Sequence, residues 1–393
     1  MLSLIKQVGL SPFILLTLYL IDPFNFGFAF GYLIFIYFFL SGKAILPLLD
    51  KDIVFITLFT AVYAIYYSFN PISGSQFIFI YLLFPPTFYL LGKLISNKIN
   101  NFDNIYKILL LIATIYSFIA LISVLLNIYN VGFYQVNRDV SMIWSHDPMN
   151  ATGMAAYLFA NMCLPGIILF SFRNNKHSEN LILILIYILS ITAVLRLGSR
   201  TQLGITLITL FVSIFYFLAK QSIVKRAISL IILTVFTILS ISYISVNSKS
   251  DIFSAYADRM DSKKYGAGTA GGRTERWSKS IDNLIEKPLG WEVQEFGYSH
   301  NLWLDAARVG TVICFILLVW FSIRSTINVY KVTKYKILPL RLKNLILIYF
   351  IAFYLQFFVE PILDGSIQLF VFYCLFQGIV NESLSIGKSH ELV

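Results

Sequence analysis

The sequence predicts an all-α polytopic membrane protein that crosses the bilayer about twelve times and carries one large polar loop on its outer face. Three observations predict it. Of 393 residues, 58% are hydrophobic and 13% charged, about half the charged content of soluble domains. The apolar residues fall in continuous runs, each near the roughly 20 residues a helix needs to cross hydrocarbon, without the alternation of a membrane barrel. Lys and Arg fall on alternate connections between those runs.

The candidate spans run near 4–21, 26–42, 53–69, 76–95, 105–128, 151–171, 181–196, 200–219, 227–246, 301–323, 343–359 and 365–380. The first has the length of a signal peptide core. No small-residue cleavage pattern follows it, and Asp22-Pro23 leads straight into the next run, so it reads as a retained span. With the N-terminus inside, 18 of the 30 Lys and Arg residues lie in short cytoplasmic segments, and three (Arg138, Arg196 and Arg200) in short outer ones. Eight more lie in the long segment 247–300, which does not count toward orientation, and Arg308 lies within a span. An odd number of spans would destroy this asymmetry. The net charge of +10 therefore serves orientation and argues for no nucleic-acid partner. The 36 Phe and 24 Tyr suit helix ends at both interfaces. Cys163, Cys314 and Cys374 all sit in apolar runs; they build no disulfide framework or metal spacing and read as small packing residues. No fixed repeat or low-complexity tract is visible. Residues 1–393 read as a single integral membrane domain with outer loops at 129–150 and 247–300.

Chemistry is sought in the outer segments, because charge there is not needed for insertion. In Leu197-Gly198-Ser199-Arg200-Thr201, Gly198 can close one helix and Ser199 can cap the next. Arg200 then lies in a first turn beside free backbone N–H groups, an arrangement that binds phosphate. Stability alone would not choose a cation there, although a snorkelling arginine explains it equally well. Arg196 lies four residues earlier. Residues 263–272 form a Gly-rich linker. Beyond it Trp277, Ile281, Leu284 and Ile285 recur at helical spacing up to Pro288, a short amphipathic helix suited to the outer membrane surface. Gly271-Gly272-Arg273-Thr274-Glu275-Arg276-Trp277 opens it with two arginines, the side chain best matched to bidentate phosphate recognition. Contact with lipid head groups is the somewhat favoured rival.

The long loop re-enters the membrane at Gly297-Tyr298-Ser299-His300-Asn301-Leu302-Trp303-Leu304-Asp305, with Ser299 as N-cap. A helix N-terminus disfavours protonated imidazole, so His300 is a candidate general base; an ordinary polar residue at a helix end is the plainer reading. Asn301, Asp305 and Arg308 share one face, and Asp305 with Arg308 reads as an internal ion pair that makes the span tolerable. In the other outer loop Arg138 and Ser145-His146-Asp147-Pro148-Met149-Asn150 can line a polar cavity, and His146 competes with His300 as base. Glu360 and Asp364 flank Pro361 in the last outer turn, where capping explains them at least as well as function does.

Together these pieces resemble the O-antigen polymerase and ligase superfamily of bacterial surface-polysaccharide assembly. The resemblance rests on Ser199-Arg200-Thr201, Arg273-Thr274-Glu275-Arg276-Trp277, Pro288-Leu289-Gly290-Trp291 and His300-Asn301-Leu302-Trp303-Leu304, with Gly310 ten residues on. Arg138 followed by Asp147-Pro148-Met149-Asn150 is similar to the family's arginine-to-"PN" stretch, here with Met149 inserted. The match covers residues 138–310, and the His-Asn pair is its most specific element. Where the family often shows an acid shortly before the final glycine, this chain has Ala306-Ala307-Arg308-Val309.

The resemblance implies a glycosyltransferase-C-like enzyme of the bacterial inner membrane, metal-independent, cofactor-free and inverting, with its active site facing the periplasm. It implies an undecaprenyl diphosphate-linked oligosaccharide as donor, a glycan acceptor, and a chain-length regulator protein as partner besides the membrane lipids. It assigns His300 as base and Arg200, Arg273 and Arg276 to the diphosphate. Asn301, Arg138, Asn150 and His146 take supporting or acceptor-binding roles. Within the family, the very aromatic spans lean toward a polymerase, which joins lipid-linked repeat units, over a ligase, which moves the finished glycan onto lipid A-core. A transporter of polysaccharide or lipid-linked oligosaccharide also fits twelve spans, but it would carry midplane charges and two similar halves. A purely structural subunit leaves the arginine and histidine positions unexplained. The topology has a direct test. A membrane-impermeant thiol reagent should label Gly268→Cys in intact cells; labelling only after permeabilisation would reverse the orientation.

Overall fold

The computed structural model describes residues 2–42, 46–133, 138–145, 148–171, 177–219, 223–224, 227 and 272–391. His146, Asp147, all but the first residue of the expected span 227–246, and all but the last of the 263–272 linker lie outside the described residues. What is described is almost entirely helical. The chain begins with α1 (Leu2–Val8), α2 (Leu10–Ile21), α3 (Gly27–Leu40), α4 (Lys51–Tyr67), α5 (Gln76–Ile99) and α6 (Phe102–Val131). Two-residue strands β1 (Val140–Ser141) and β2 (Pro148–Met149) pair antiparallel, Val140 opposite Met149. Then come α7 (Ala151–Ala156), α8 (Phe159–Met162), α9 (Leu164–Ser171), α10 (His177–Leu197) and α11 (Arg200–Leu218). The chain closes with α12 (Arg273–Glu286), α13 (Leu302–Lys334), α14 (Leu340–Val359), α15 (Ile362–Gly365) and α16 (Ile367–Glu391).

Among the described residues six helices, α5, α6, α10, α13, α14 and α16, are long and apolar enough to cross a membrane, and α2, α3 and α11 are shorter apolar helices. Large apolar side chains such as Phe39, Leu40, Leu181, Ile316 and Trp320 stay exposed along them, as a lipid-facing surface requires. The chain is a helical membrane protein. Two expected spans are broken. The first divides at Gly9, whose φ of 103° leaves the helical region. The segment 151–171 divides into α7, α8 and α9; Pro165, at the head of α9, has no N–H with which to continue the ladder from α8.

The chain forms two compact units. One comprises Met1–Tyr116, Gly272–Ile346 and Gln356–Val393. Its centre is the pair α5 and α16, which run parallel. A Cβ on Gly92 would strike the carbonyl of Leu375, and one on Gly378 would strike the carbonyl of Tyr89, so the two backbones touch through reciprocal glycines. At one end Tyr81 Oη donates to the Leu363 carbonyl (2.9 Å). At the other Asn97 Nδ2 donates to Glu382 (2.9 Å). Helices α4 and α13 run antiparallel beside them, with Phe55 against Trp320 and Asp52 paired with Arg324.

Asp50 caps α4 by accepting from the N–H groups of Asp52 and Ile53, and it also accepts from Tyr89 Oη (2.7 Å) and Lys93 Nζ (2.6 Å). Asn381 and Asn328 both donate to Asp52 (2.7 and 3.0 Å). This polar cluster locks the ends of four helices together.

The other unit comprises Ser117–Gly271 and Leu347–Leu355. In its described part α9 lies close against α11, where a Cβ on Gly166 would sit 2.5 Å from Ser213 Oγ. Asn161 Nδ2 on α8 donates to Ser190 Oγ on α10 (3.0 Å).

The glycine crossing predicts a contrast. Gly92→Ala and Gly378→Ala should each lower stability by about 1–3 kcal/mol through overpacking. Gly204→Ala, where a Cβ meets nothing within 4 Å, should leave stability unchanged or raise it by up to about 1 kcal/mol. Thermal unfolding of the purified variants in detergent measures this, and equal behaviour of the three would refute the crossing.

Candidate active site

In the unit that carries α12 and α13, the polypeptide between those helices folds back on both. α12 starts at Arg273 after Gly272, whose φ of 80° suits only glycine well, and it ends before Pro288. Its buried edge is polar. Ser280 Oγ donates to the Arg276 carbonyl (2.8 Å) and lies 2.6 Å from Ser299 Oγ. Arg276 donates to the carbonyl of Tyr298 (3.4 Å). Ile281 and Ile285 remain exposed, so this part of the apolar stripe expected to meet a membrane surface is not covered by the described residues.

Asn301, not Ser299, caps α13: its Oδ1 accepts from Leu304 N (3.2 Å). His300 immediately precedes it in the left-handed region, at φ 55°, a conformation rare outside glycine but several-fold commoner for Asn, Asp and His than for other residues. Asp305 holds it there. Its two oxygens accept from Ser299 N (2.8 Å) and Asn301 N (3.2 Å), the amides on either side of the histidine. Asp305 is fully buried, and it has this role in place of the expected ion pair with Arg308.

Arg308 instead pairs with Asp364 (2.8 Å) and lies over the Tyr298 ring. Burial pushes the Asp364 carboxyl above its usual range while Arg308 opposes the shift. Arg273 reaches Glu360 (3.5 Å). The acids flanking Pro361 thus face the two arginines.

Electrostatics follow from this enclosure. His300 is half-buried, and its Nδ1 is buried with no hydrogen-bond partner among the described residues. Burial, and then the guanidinium charges of Arg273 and Arg276, push its pKa down to about 4. The imidazole is therefore neutral at physiological pH.

A second strained residue, Thr311, lies less than one helical turn beyond Arg308. Thr311 has φ 73° and breaks α13 internally, exceptional for a β-branched side chain. The break frees backbone groups that the 288–291 turn satisfies: Trp291 N donates to the Arg308 carbonyl (3.1 Å), and Val312 N donates to the Pro288 carbonyl (2.9 Å). Gly290 sits at φ 106°, where a Cβ would lie 2.5 Å from the Arg308 carbonyl. The segment Pro288-Leu289-Gly290-Trp291 is thereby the piece that docks into the broken helix.

The other unit holds the remaining described candidates. Gly198 (φ 60°) ends α10, Ser199 occupies the N-cap position of α11, and Arg200 begins that helix. Arg138 donates to the Leu197 carbonyl (3.0 Å) at the C-terminus of α10, where a cation meets the negative end of the helix dipole. Arg196 is buried and donates to Asn127 Oδ1 (3.0 Å). Asn150 caps α7, accepting from Gly153 N (2.7 Å).

The arrangement thus gathers Arg273, Arg276, His300 and Asn301 in one unit, and Arg138, Asn150 and Arg200 belong to the other. Asp305, Glu360 and Asp364 join the first group although their sequence positions carried plainer explanations. Compared with known proteins, the chain matches no family model and no curated protein.

The left-handed backbone at His300 makes a prediction. His300→Asn should keep the stability of the parent within about 0.5 kcal/mol, since Asn tolerates this conformation. His300→Val should cost about 1–3 kcal/mol. Chemical denaturation in detergent distinguishes them, and a valine variant as stable as the parent would remove the strain from the account.

Proposed function

We propose that this chain is a metal-independent, inverting glycosyltransferase of the bacterial inner membrane, acting at the periplasmic face as a surface-polysaccharide polymerase. The observation that carries the reading is His300, neutral and held by Asp305 beside two arginines in an outer segment. The acceptor hydroxyl gives its proton to the imidazole as its oxygen attacks the anomeric carbon. The bond from that carbon to the diphosphate of an undecaprenyl-linked donor breaks on the opposite side, which inverts the centre. The diphosphate leaves with its charge met by Arg273 and Arg276. Anchoring both substrates in one membrane supplies proximity.

A glycosyltransferase-C-like body of twelve spans with both termini inside accompanies this reading. The relative directions support it: α5 and α16 run parallel and α4 runs antiparallel to α13, as spans of like and opposite direction in that order require.

The electrostatics make the base dependent on the donor. Burial first, and then the charges of Arg273 and Arg276, hold His300 near 4 in the free protein, where imidazole is a poor proton acceptor. A bound diphosphate offsets their charge and raises the imidazole toward its ordinary value. The acid limb of kcat/KM, which reports the free enzyme, should fall near pH 4; the acid limb of kcat should fall at higher pH. Coincident limbs would contradict the coupling.

Transfer from a synthetic lipid-diphosphate donor tests the assignments. His300→Asn should lower kcat about 10²–10⁴-fold with little change in KM. Arg273→Lys keeps a charge for Glu360 but lacks the planar fork, so it should lose at least about tenfold. Activity within a few-fold of the parent for either variant would sink its role. In a deletion strain, cores bearing one repeat but no long chains mark a polymerase; loss of the single repeat as well would move the reading to a ligase.

A further inference from the structure

Beside the broken stretch of α13, an open cavity of about 340 Å³ lies between the end of α4 and the 288–295 segment. That is the low end of the size of small-molecule sites, about 300–1,000 Å³. Its lining divides into two kinds. Tyr66, Phe69 and Trp291 contribute aromatic surface, and Asn70, Glu292 and Arg308 contribute polar groups.

Two of these residues carry unmet donors. Trp291 and Arg308 are only 7% and 3% exposed, yet Trp291 Nε1 and Arg308 Nε have no hydrogen-bond partner among the described residues. Both N–H groups lie beneath the cavity surface, closed to solvent. The opposite wall is loosely occupied: Asn70 Nδ2 reaches Glu292 Oε2 at only 3.4 Å. Lys287 already pairs with Glu295 (2.6 Å), and Asp364 with Arg308 (2.8 Å), so Glu292 sets the local charge and an anion is disfavoured. The chemistry left is that of a neutral ligand with an apolar face for the rings and several hydroxyls that both donate and accept.

We infer that this cavity is a saccharide-binding subsite, in which a pyranose ring lies against the aromatic surface and its hydroxyls bridge Asn70 and Glu292, with Trp291 and Arg308 forming the wall beneath it. The choice of a sugar over other neutral polyols rests on the glycosyl-transfer reading above. The turn that docks into α13 through Gly290 then has a second consequence. It forms one wall of a site that shares Arg308 with the ion pair supporting the His300 segment. The ring belongs either to the donor glycan or to the acceptor.

Direct binding tests the subsite without turnover. The full chain in lipid nanodiscs is titrated with the methyl glycosides of a hexose, an N-acetylhexosamine and a 6-deoxyhexose, observed by saturation-transfer NMR, with sorbitol as control. At least one glycoside should receive saturation where sorbitol does not. Its dissociation constant should rise at least fivefold in Asn70→Ala and in Glu292→Gln, both exposed positions, and glutamine preserves the cap that Glu292 provides to the following turn. Trp291→Phe should weaken binding while keeping the apolar packing.

If no glycoside binds, or if all three variants bind as the parent does, the subsite is overturned whatever the transfer assay shows. Glycoside binding by a protein that transfers nothing would leave the subsite standing and sink the enzyme reading instead. In the transfer assay the same variants separate the two sources: a raised KM for the acceptor alone assigns the cavity to the acceptor glycan, and one for the donor alone to the donor.

Discussion

Gly92 against the Leu375 carbonyl and Gly378 against the Tyr89 carbonyl bring two membrane helices to backbone distance, and the position of the candidate site follows from it. With no side chains between them, α5 and α16 are held in one register along their length, from Tyr81 against the Leu363 carbonyl to Asn97 against Glu382. That register fixes the 360–366 turn at the head of α16. The turn carries Glu360 and Asp364, which face Arg273 on α12 and Arg308 on α13. In lipid there is no hydrophobic force to pull helices together, so close backbone packing and polar contacts must supply the order. The crossing supplies the first, and the Asp50, Asp52, Lys93 and Arg324 cluster supplies the second at the other end of the same helices.

Buried charge explains the local shape of the outer segment. Arg308 within a membrane helix is tolerable only with a partner, and Asp364 gives it one from another helix. That leaves Asp305 with no salt-bridge partner among the described residues, and it accepts from backbone amides. The amides within its reach are those flanking His300, so meeting the carboxylate's need forces the histidine into the left-handed region. Strain at His300 and at Thr311 persists because the surroundings over-determine both: two accepted amides at the first, and the docked 288–291 turn at the second.

Much of this was legible in the sequence. The helical membrane character followed from run length and charge, and Gly198 and Ser199 were recognisable as a helix stop and start. The amphipathic helix at 273–286 could be read from its spacing to Pro288. The partners of the charges could not. Asp305 and Arg308 stand at helical spacing, and local geometry alone makes them a pair; only the return of the chain 56 residues later offers Arg308 a better one. Ser299 looks like a cap by residue type, but Asn301 fills that role because His300 leaves the helical path first. The break at Thr311 follows an ordinary-looking Gly310, and its compensation lies in Pro288 and Gly290, on a segment whose docking no periodicity reveals. The interruption of 151–171 had one visible sign, Pro165, within an otherwise continuous apolar run.

On the proposed reading, the same two guanidiniums have opposing effects on catalysis. They must be cationic to meet a leaving diphosphate, and as cations they add to the effect of burial in making the nearby imidazole less basic. An enzyme built only to keep a strong base would move the arginines away. One built only to hold diphosphate would need no histidine there. Close together, they couple the two steps: the anion that fills the arginines also restores the proton affinity of His300, and the gain arrives only when donor is bound. Until then the imidazole neither competes for the anion site as a cation nor activates water effectively, since both require it to attract a proton. Rigid backbone support is what makes such coupling workable. The effect of Arg273 and Arg276 on His300 depends on distance, and Asp305 keeps that distance from relaxing when the charges are screened.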